Sequence, residues 1–414
     1  MNSTVLQNNL NYCLILSLVG YQMVRGQTYG TVNLPGSLAD PGVQIQRAAT
    51  STPKLNRWCE GPAVSENGDL FFSEQLAGNI WKVTPSGTMT KLVNIGTYSN
   101  GLDFNPINRR LVVCEKSQIA ERDTATGAVL RVLTSDSANA WTEGGSGGSN
   151  DLTFASNGDM FFTSWNQHIY FHSNDGTVDK DWNFPSSYGT CNWNGIEYIE
   201  EKGFIYVCQY GKNRVVTFEV NSKTHLIDTS TLKQFGPAIN APDGITVDSD
   251  YNVYVCSNSG QGSYPNSVVV LDSSGTVLGS IKMAQANSST AVNCVFGNSM
   301  FGGGPSPHTL YVTGDSGAFK IQLKVAGRVR PTTTATARID RENHLQYTPA
   351  SSFRETRRYN GLNISSPVTL EMFDLRGVKL TSAVDKAGKS AMIPSGIAMV
   401  RATAGKMVRV AVVR

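Results

Sequence analysis

Six residues with side-chain oxygens stand at near-regular intervals along the chain: Glu60, Asn100, Asn150, Asn194, Asp243 and Asn293. Each opens a short apolar strand, as in Asp243-Gly244-Ile245-Thr246-Val247, and successive members lie 40, 50, 44, 49 and 50 residues apart. A lone Asn-Gly or Asp-Gly is ordinarily a turn dipeptide. Here the turn of the repeat is found separately, as in Ser65-Glu66-Asn67-Gly68-Asp69, so the six acids and amides need another explanation. Brought together, they would repel one another and lose solvation without a cation. Oxygen-only ligands of this kind select a hard divalent ion, Ca²⁺ first, with Mg²⁺, Mn²⁺ or Zn²⁺ as weaker alternatives.

What could bring them together is the repeat itself. After each polar turn comes an aromatic or β-branched run: Leu70-Phe71-Phe72, Leu111-Val112-Val113, Met160-Phe161-Phe162, Phe204-Ile205-Tyr206-Val207, Val253-Tyr254-Val255 and Leu310-Tyr311-Val312. A period of 40 to 50 residues is that of a four-stranded blade, and six copies predict an all-β, six-bladed β-propeller over residues 28–325. One blade cannot bury both faces of its sheet, so the copies must close on one another. The starts of the innermost strands then converge on one axis. Thr31 to Ala49, ahead of the first blade, are expected to supply an outer strand to the last one.

The chain has 414 residues, 40% of them hydrophobic, with 40 glycines. From Ala326 to Arg414 there are 15 Lys/Arg against 6 Asp/Glu, a balance of +9, whereas residues 27–325 carry −7. An acidic repeat region argues against nucleic acid, whose phosphates need clustered positive charge. Residues 1–26 hold the apolar run Tyr12 to Tyr21, which suits the h-region of a signal peptide although no Lys or Arg precedes it. A mis-assigned start or a frayed apolar terminus would give the same run. The run is too short for a stable membrane span, and the reading taken is secretion.

Seven cysteines include Cys13 in that run. Cys114, Cys208 and Cys256 end equivalent strands and read as small buried hydrophobes. Cys59 and Cys191 lie beside Glu60 and Asn194, where a disulfide is open to them in an oxidising compartment. No Cys or His spacing supports a zinc site.

The pieces Trp58-Cys59-Glu60-Gly61-Pro62, Ser99-Asn100-Gly101-Leu102, Ser149-Asn150-Asp151-Leu152, Asn194-Gly195-Ile196, Pro242-Asp243-Gly244-Ile245 and Asn293-Cys294-Val295-Phe296-Gly297 resemble, in order and spacing, the senescence marker protein, gluconolactonase and luciferin-regenerating enzyme family. That resemblance implies an axial divalent metal held by Glu60, Asn150, Asn194 and Asp243. It also implies a departure, because many sugar-lactone hydrolases of the family carry an Arg where this chain has Gly148, inside the loop Glu143 to Ser149.

A second resemblance lies in the tail. Met372-Phe373-Asp374-Leu375-Arg376-Gly377, Ile393 to Arg401 and Met407 to Arg414 look like the C-terminal sorting domain of bacterial type IX secretion substrates. The same alternation, with Gly/Pro turns, reads as a small β-sandwich-like domain over 367–414, and an accessory adhesion or carbohydrate-binding module would share it. Residues 326–366, with Pro331 to Thr336, have a linker's composition.

The function expected is a secreted or cell-surface, calcium-dependent sugar-lactone hydrolase acting as a monomer, with the tail addressed to secretion machinery. The metal would polarise the lactone carbonyl and Asp243 would serve as general base. Asn100 and Asn293 would hydrogen-bond sugar hydroxyls, and Trp165 and Trp193 would stack on a sugar face. The rival is a non-catalytic, calcium-stabilised propeller that binds a glycan or a protein, on a scaffold that also carries strictosidine-synthase-like condensation chemistry.

Overall fold

The computed structural model describes residues 29–331, apart from 54, 56–57, 97, 137–147, 185–190, 285–289 and 298–304, and the backbone of six strands in the tail. The signal-like run with Cys13, the loop 143–147 and most of the Thr-rich linker lie outside the described residues.

Six antiparallel sheets follow one another along the chain, four of them laid down wholly in sequence order from inner to outer strand and the last two completed by strands from before the first blade. The inner strands are Cys59–Val64, Ser99–Phe104, Ser149–Phe154, Trp193–Ile199, Pro242–Val247 and Asn293–Phe296. Each packs against the next, and the last packs against the first, so the ring is closed: this is a six-bladed β-propeller. No helix among the described residues is long and apolar enough to cross a membrane.

The second strands explain why apolar runs rather than alternating patterns mark each repeat. In Leu70–Glu74 the ring of Phe71 enters the seam with the second blade, while its neighbour Phe72 enters the seam with the sixth. Successive side chains of a strand face opposite ways, and here both ways are interior. Six apolar clusters result among the described residues, one in each seam between blades. Outer strands meet solvent, as the exposed Val129, Leu130 and Val132 of the second blade show.

The segment before the first blade closes the ring in two places. Gln46–Arg47 pair with Lys320 and Phe319 as the outer strand of the sixth blade, as the position of Thr31 to Ala49 in the chain led one to expect. Gly30–Asn33 pair instead with Ser280 to Met283, giving the fifth blade an additional strand. Leu38, Ala39 and Ile45 fill the seam between those two blades. The Arg47 guanidinium, 5.1 Å from the centre of the Tyr29 ring and 5.2 Å from that of Phe319, donates to Ser316 O at 2.8 Å.

Two expectations need correction here. The boundary at residue 325 falls inside the packed body, because Ala326 to Arg330 form a strap bonded to the fourth and fifth blades: Ser249 N donates to Ala326 O at 2.8 Å, and Arg328 N to Val247 O at 3.0 Å. Those residues are not linker. The disulfide open to Cys59 and Cys191 is not formed: the six described cysteines are buried thiols, five of them on blade strands and Cys191 just ahead of one. Beyond the strap, Val368–Phe373, Lys379–Asp385, Met399–Ala404 and Lys406–Ala411 form a four-stranded antiparallel sheet.

Candidate metal centre

Five of the six acids and amides sit where inner strands break register. Pairing with the second strand skips between Glu60 and Ala63, Ser99 and Leu102, Ser149 and Leu152, Trp193 and Ile196, and Pro242 and Ile245. The sixth inner strand pairs regularly from Asn293. A bulge inserts an unpaired residue and re-aims its side chain, so five blades use one device at one level. All six residues are 5% exposed or less.

The residue that follows explains the Asn-Gly and Asp-Gly spelling. A Cβ on Gly61 would lie 2.4 Å from Gly101 Cα, one on Gly195 2.3 Å from Asp243 O, and one on Gly244 2.1 Å from Asn293 Oδ1. The glycines therefore make room for the next blade rather than for a turn. Hydroxyls of the second strands hold the bulged backbone in place. Ser73 Oγ donates to Asn100 O at 2.7 Å and Thr163 Oγ1 to Asn194 O at 2.7 Å, each reaching into the next blade.

The electrostatics are those of a site short of positive charge. Glu60 Oε2, Asn100 Oδ1, Asn194 Oδ1 and Asp243 Oδ1 are buried without a hydrogen-bond partner among the described residues, and buried oxygens are rarely left so. Asp243 Oδ2 accepts from Asn258 Nδ2 at 2.8 Å, which fixes the carboxylate and leaves Oδ1 unpartnered. Burial, with Asp243 and Asp151 beside it, pushes the Glu60 carboxyl well above its ordinary value. Burial, with Asp151 nearby, pushes Asp243 up to about 8 against the hydrogen bonds of Asn258 and Asn194. Burial likewise pushes Asp151 up to about 7. A hard divalent cation fits this donor set: two carboxylates supply charge, amide oxygens complete an oxygen shell, and three of the four unpartnered atoms, on Glu60, Asn194 and Asp243, belong to residues that would bind it. Glu60, Asn150, Asn194 and Asp243 are the residues that would hold it.

The chain matches the profile described as the SMP-30/gluconolactonase/LRE-like region over residues 58–316. It belongs to that family. A gluconolactonase from Xanthomonas campestris superposes with a TM-score of 0.55 at 20% identity, over 72% of this chain and 97% of that one. A luciferin-regenerating enzyme gives 0.55 at 17% identity, over 70% and 100%. Regucalcin from Agrobacterium tumefaciens, described as a calcium-binding protein, gives 0.55 at 16% identity, over 70% and 97%. At these identities the structures establish the shared fold. No curated protein sequence matches the chain.

Within this SMP-30/gluconolactonase-family propeller the expected site residues take different places. Glu60, Asn100, Asn150, Asn194, Asp243 and Asn293 open the six successive inner strands. Asn293 reaches across the axis from the sixth blade to the third: its Nδ2 donates to Asp151 Oδ2 at 3.2 Å, its Oδ1 accepts from Cys294 N at 2.7 Å, and its side chain also hydrogen-bonds Glu60. Asn100 Nδ2 donates to Tyr98 Oη at 2.6 Å. Trp165 follows the second strand of the third blade, half-buried, with its ring 4.8 Å from that of Tyr210. Tyr210 feels the charges of Asp243 and Glu60, so this aromatic pair borders the centre. Trp193 does not. It is fully buried between Phe184 and Phe218 in the seam of the third and fourth blades, and it cannot stack on a ligand.

Several residues escaped the sequence reading. Asp151 had a signal, since it occupies the slot that glycine fills in the first, second, fourth and fifth blades. Asn258, Tyr98 and the hydroxyls of Ser73 and Thr163 had none. At Gly148, where the family resemblance implied an Arg, φ is +89° and a Cβ would lie 2.0 Å from Lys116 O. This backbone admits no side chain there.

Proposed function

We propose that this protein is a secreted, calcium-dependent hydrolase of sugar lactones. The observation that carries the reading is the set of buried, unpartnered oxygens of Glu60, Asn194 and Asp243 in one closed ring. A bound divalent cation supplies Lewis-acid polarisation of the lactone carbonyl. Glu60 and Asp243 provide the charge that retains the cation, and Asn150 and Asn194 complete its shell. Ca²⁺ acidifies water weakly, so a base is still required. Asp243 serves: Asn258 holds one oxygen in place while the carboxylate takes a proton from the attacking water. Trp165 and Tyr210 offer an apolar face to the lactone ring. Family membership and the gluconolactonase fold support this reading.

The test is turnover of a panel of aldonolactones with calcium and with EDTA. Turnover that EDTA abolishes and calcium restores is expected. Calcium binding without turnover of any lactone would replace the enzyme with a calcium-stabilised module that binds a glycan or protein. Secretion, with the C-terminal sheet as a sorting domain, is part of the same proposal. It is checked by comparing culture medium, cell surface and cytoplasm for the full chain and for a chain ending at residue 366.

A further inference from the structure

The opposite end of the channel is filled by the chain itself. The five described inner-strand carboxylates are Glu60, Asp103, Asp151, Glu197 and Asp243. Asp103 and Glu197 lie three residues beyond Asn100 and Asn194, on the order of 10 Å further along the channel at the rise of a strand. They belong to the second and fourth blades, which the third blade separates. Arg330 spans them. Its Nη1 pairs with Asp103 Oδ2 and its Nη2 with Glu197 Oε2 at 2.7 Å, and its side chain is 15% exposed.

The strap that delivers Arg330 is firmly seated. Gly327 N donates to Pro307 O at 2.8 Å, and Gly327 bridges to Asp248 at the end of the fifth inner strand. Arg328, 4% exposed, donates through Nη2 to Glu197 Oε1 and to Tyr198 O, both at 2.7 Å, and pairs through Nη1 with Glu201 at 3.0 Å. Burial works against the Arg330 charge, and Asp103 and Glu197 outweigh it, so the guanidinium is held more firmly charged than usual.

We propose that Arg330 is a positioning residue for the axial centre, a built-in cation that balances Asp103 and Glu197 and leaves the head of the channel as the one place for an exchangeable divalent ion. Buried carboxylates that face each other need a positive charge between them. Asp151 couples the two levels, because it feels Asp103 and Glu197 on one side and is felt by Glu60 and Asp243 on the other. Through its ion pairs and hydrogen bonds the strap ties together the second, fourth and fifth blades at this end. This inference rests on the head of the channel binding a divalent cation, not on lactone turnover.

The experiment is calcium titration by calorimetry, with melting temperatures in EDTA and in millimolar calcium, on full-length protein. Wild type is expected to bind one Ca²⁺. Arg330→Met is expected to melt lower in EDTA, to regain most of the difference in calcium, and to bind a second Ca²⁺ at least tenfold more weakly than the first. Arg330→Lys should keep a stoichiometry of one. The double variant Arg330→Met with Asp103→Asn removes a negative charge with the positive one and should return to one ion. A single ion in Arg330→Met, with a melting loss that calcium does not touch, overturns the proposal and makes the contact merely structural. Wild type binding no calcium overturns the head site and this inference with it. Stoichiometries of one and two in a protein without lactonase activity uphold the inference while removing the hydrolase.

Discussion

The proposed mechanism gives Asp243 two duties, metal ligand and general base, that substitution separates. Glu60→Gln removes charge from a ligand only, so calcium affinity and activity should both fall and excess calcium should restore much of the activity. Asp243→Asn also removes the base, and its loss of about 10²–10⁴-fold in rate should persist at saturating calcium. Wild-type turnover by a calcium-bound Asp243→Asn protein would assign the base elsewhere. The raised carboxyl has a further consequence for the metal-free protein. Between the ordinary value of 3.8 and about 8, the folded state keeps on Asp243 a proton that the unfolded chain has lost. Stability contributed by that proton is present below the lower value and is lost as pH rises through the higher one. In EDTA the melting temperature should therefore fall from pH 5 to pH 8, and calcium should reverse the trend, because binding displaces the proton. At this scale much could be read from the sequence: Glu60, Asn194 and Asp243 repeat in step, and repetition raised them above ordinary turn residues. Asp151 went unread because an Asn-Asp pair looks like any polar turn, although it breaks the glycine slot of four other blades. Trp193 was misread because a tryptophan next to Asn194 is near the centre in sequence while the strand turns it into the seam.

The bulged inner strand is the element on which the site depends, and its glycines give the sharpest test. Gly195→Ala would set a methyl 2.3 Å from the carbonyl oxygen of Asp243, and forcing a methyl into a packed wall costs about 1–3 kcal/mol. Calcium affinity should fall together with stability, since the atom displaced belongs to the ligand's own residue. Thr163→Val deletes the hydroxyl that holds Asn194 O; a loss of about 1 kcal/mol by thermal or denaturant unfolding is the expected size. At the ring's seam, deleting residues 29–47 removes two outer strands and the Leu38–Ile45 filling. A sharply lower and broader melting transition is expected, and cooperative unfolding at the wild-type temperature would show that the ring closes without it. Four-strand blades were legible because the turn and the aromatic run recur in each. The extra strand Gly30–Asn33 was not, since a lone edge strand takes its register from a partner about 250 residues away.

For the whole molecule, the boundary between propeller and tail changes what a truncation means. A chain ending at Pro331 keeps the strap and should keep its fold, its calcium affinity and any activity. A chain ending at Lys324 loses Arg328 and Arg330 and strands Asp103 and Glu197, and it should melt well below the longer one. Equal melting temperatures for the two would make the strap an ornament. Composition could not have drawn this boundary. Gly327-Arg328-Val329-Arg330-Pro331 reads as the start of a basic linker, and only the ring reveals that acidic residues 133 and 227 positions earlier are waiting for it.

Those separations also set an order of events. Arg47 meets Ser316 across 269 residues, and Lys324 meets Gly36 across 288, so the ring is locked by contacts between the two ends of its own sequence. Pairings this distant are late and slow to form. Glu60 exists long before Asp243 is synthesised, and the charge that balances the channel arrives 87 residues after that. A growing or half-folded chain is thus a string of isolated acids and amides with no grip on a divalent ion. If the proposed centre binds its ion, capture of that ion would report that the last turn of the ring has been completed.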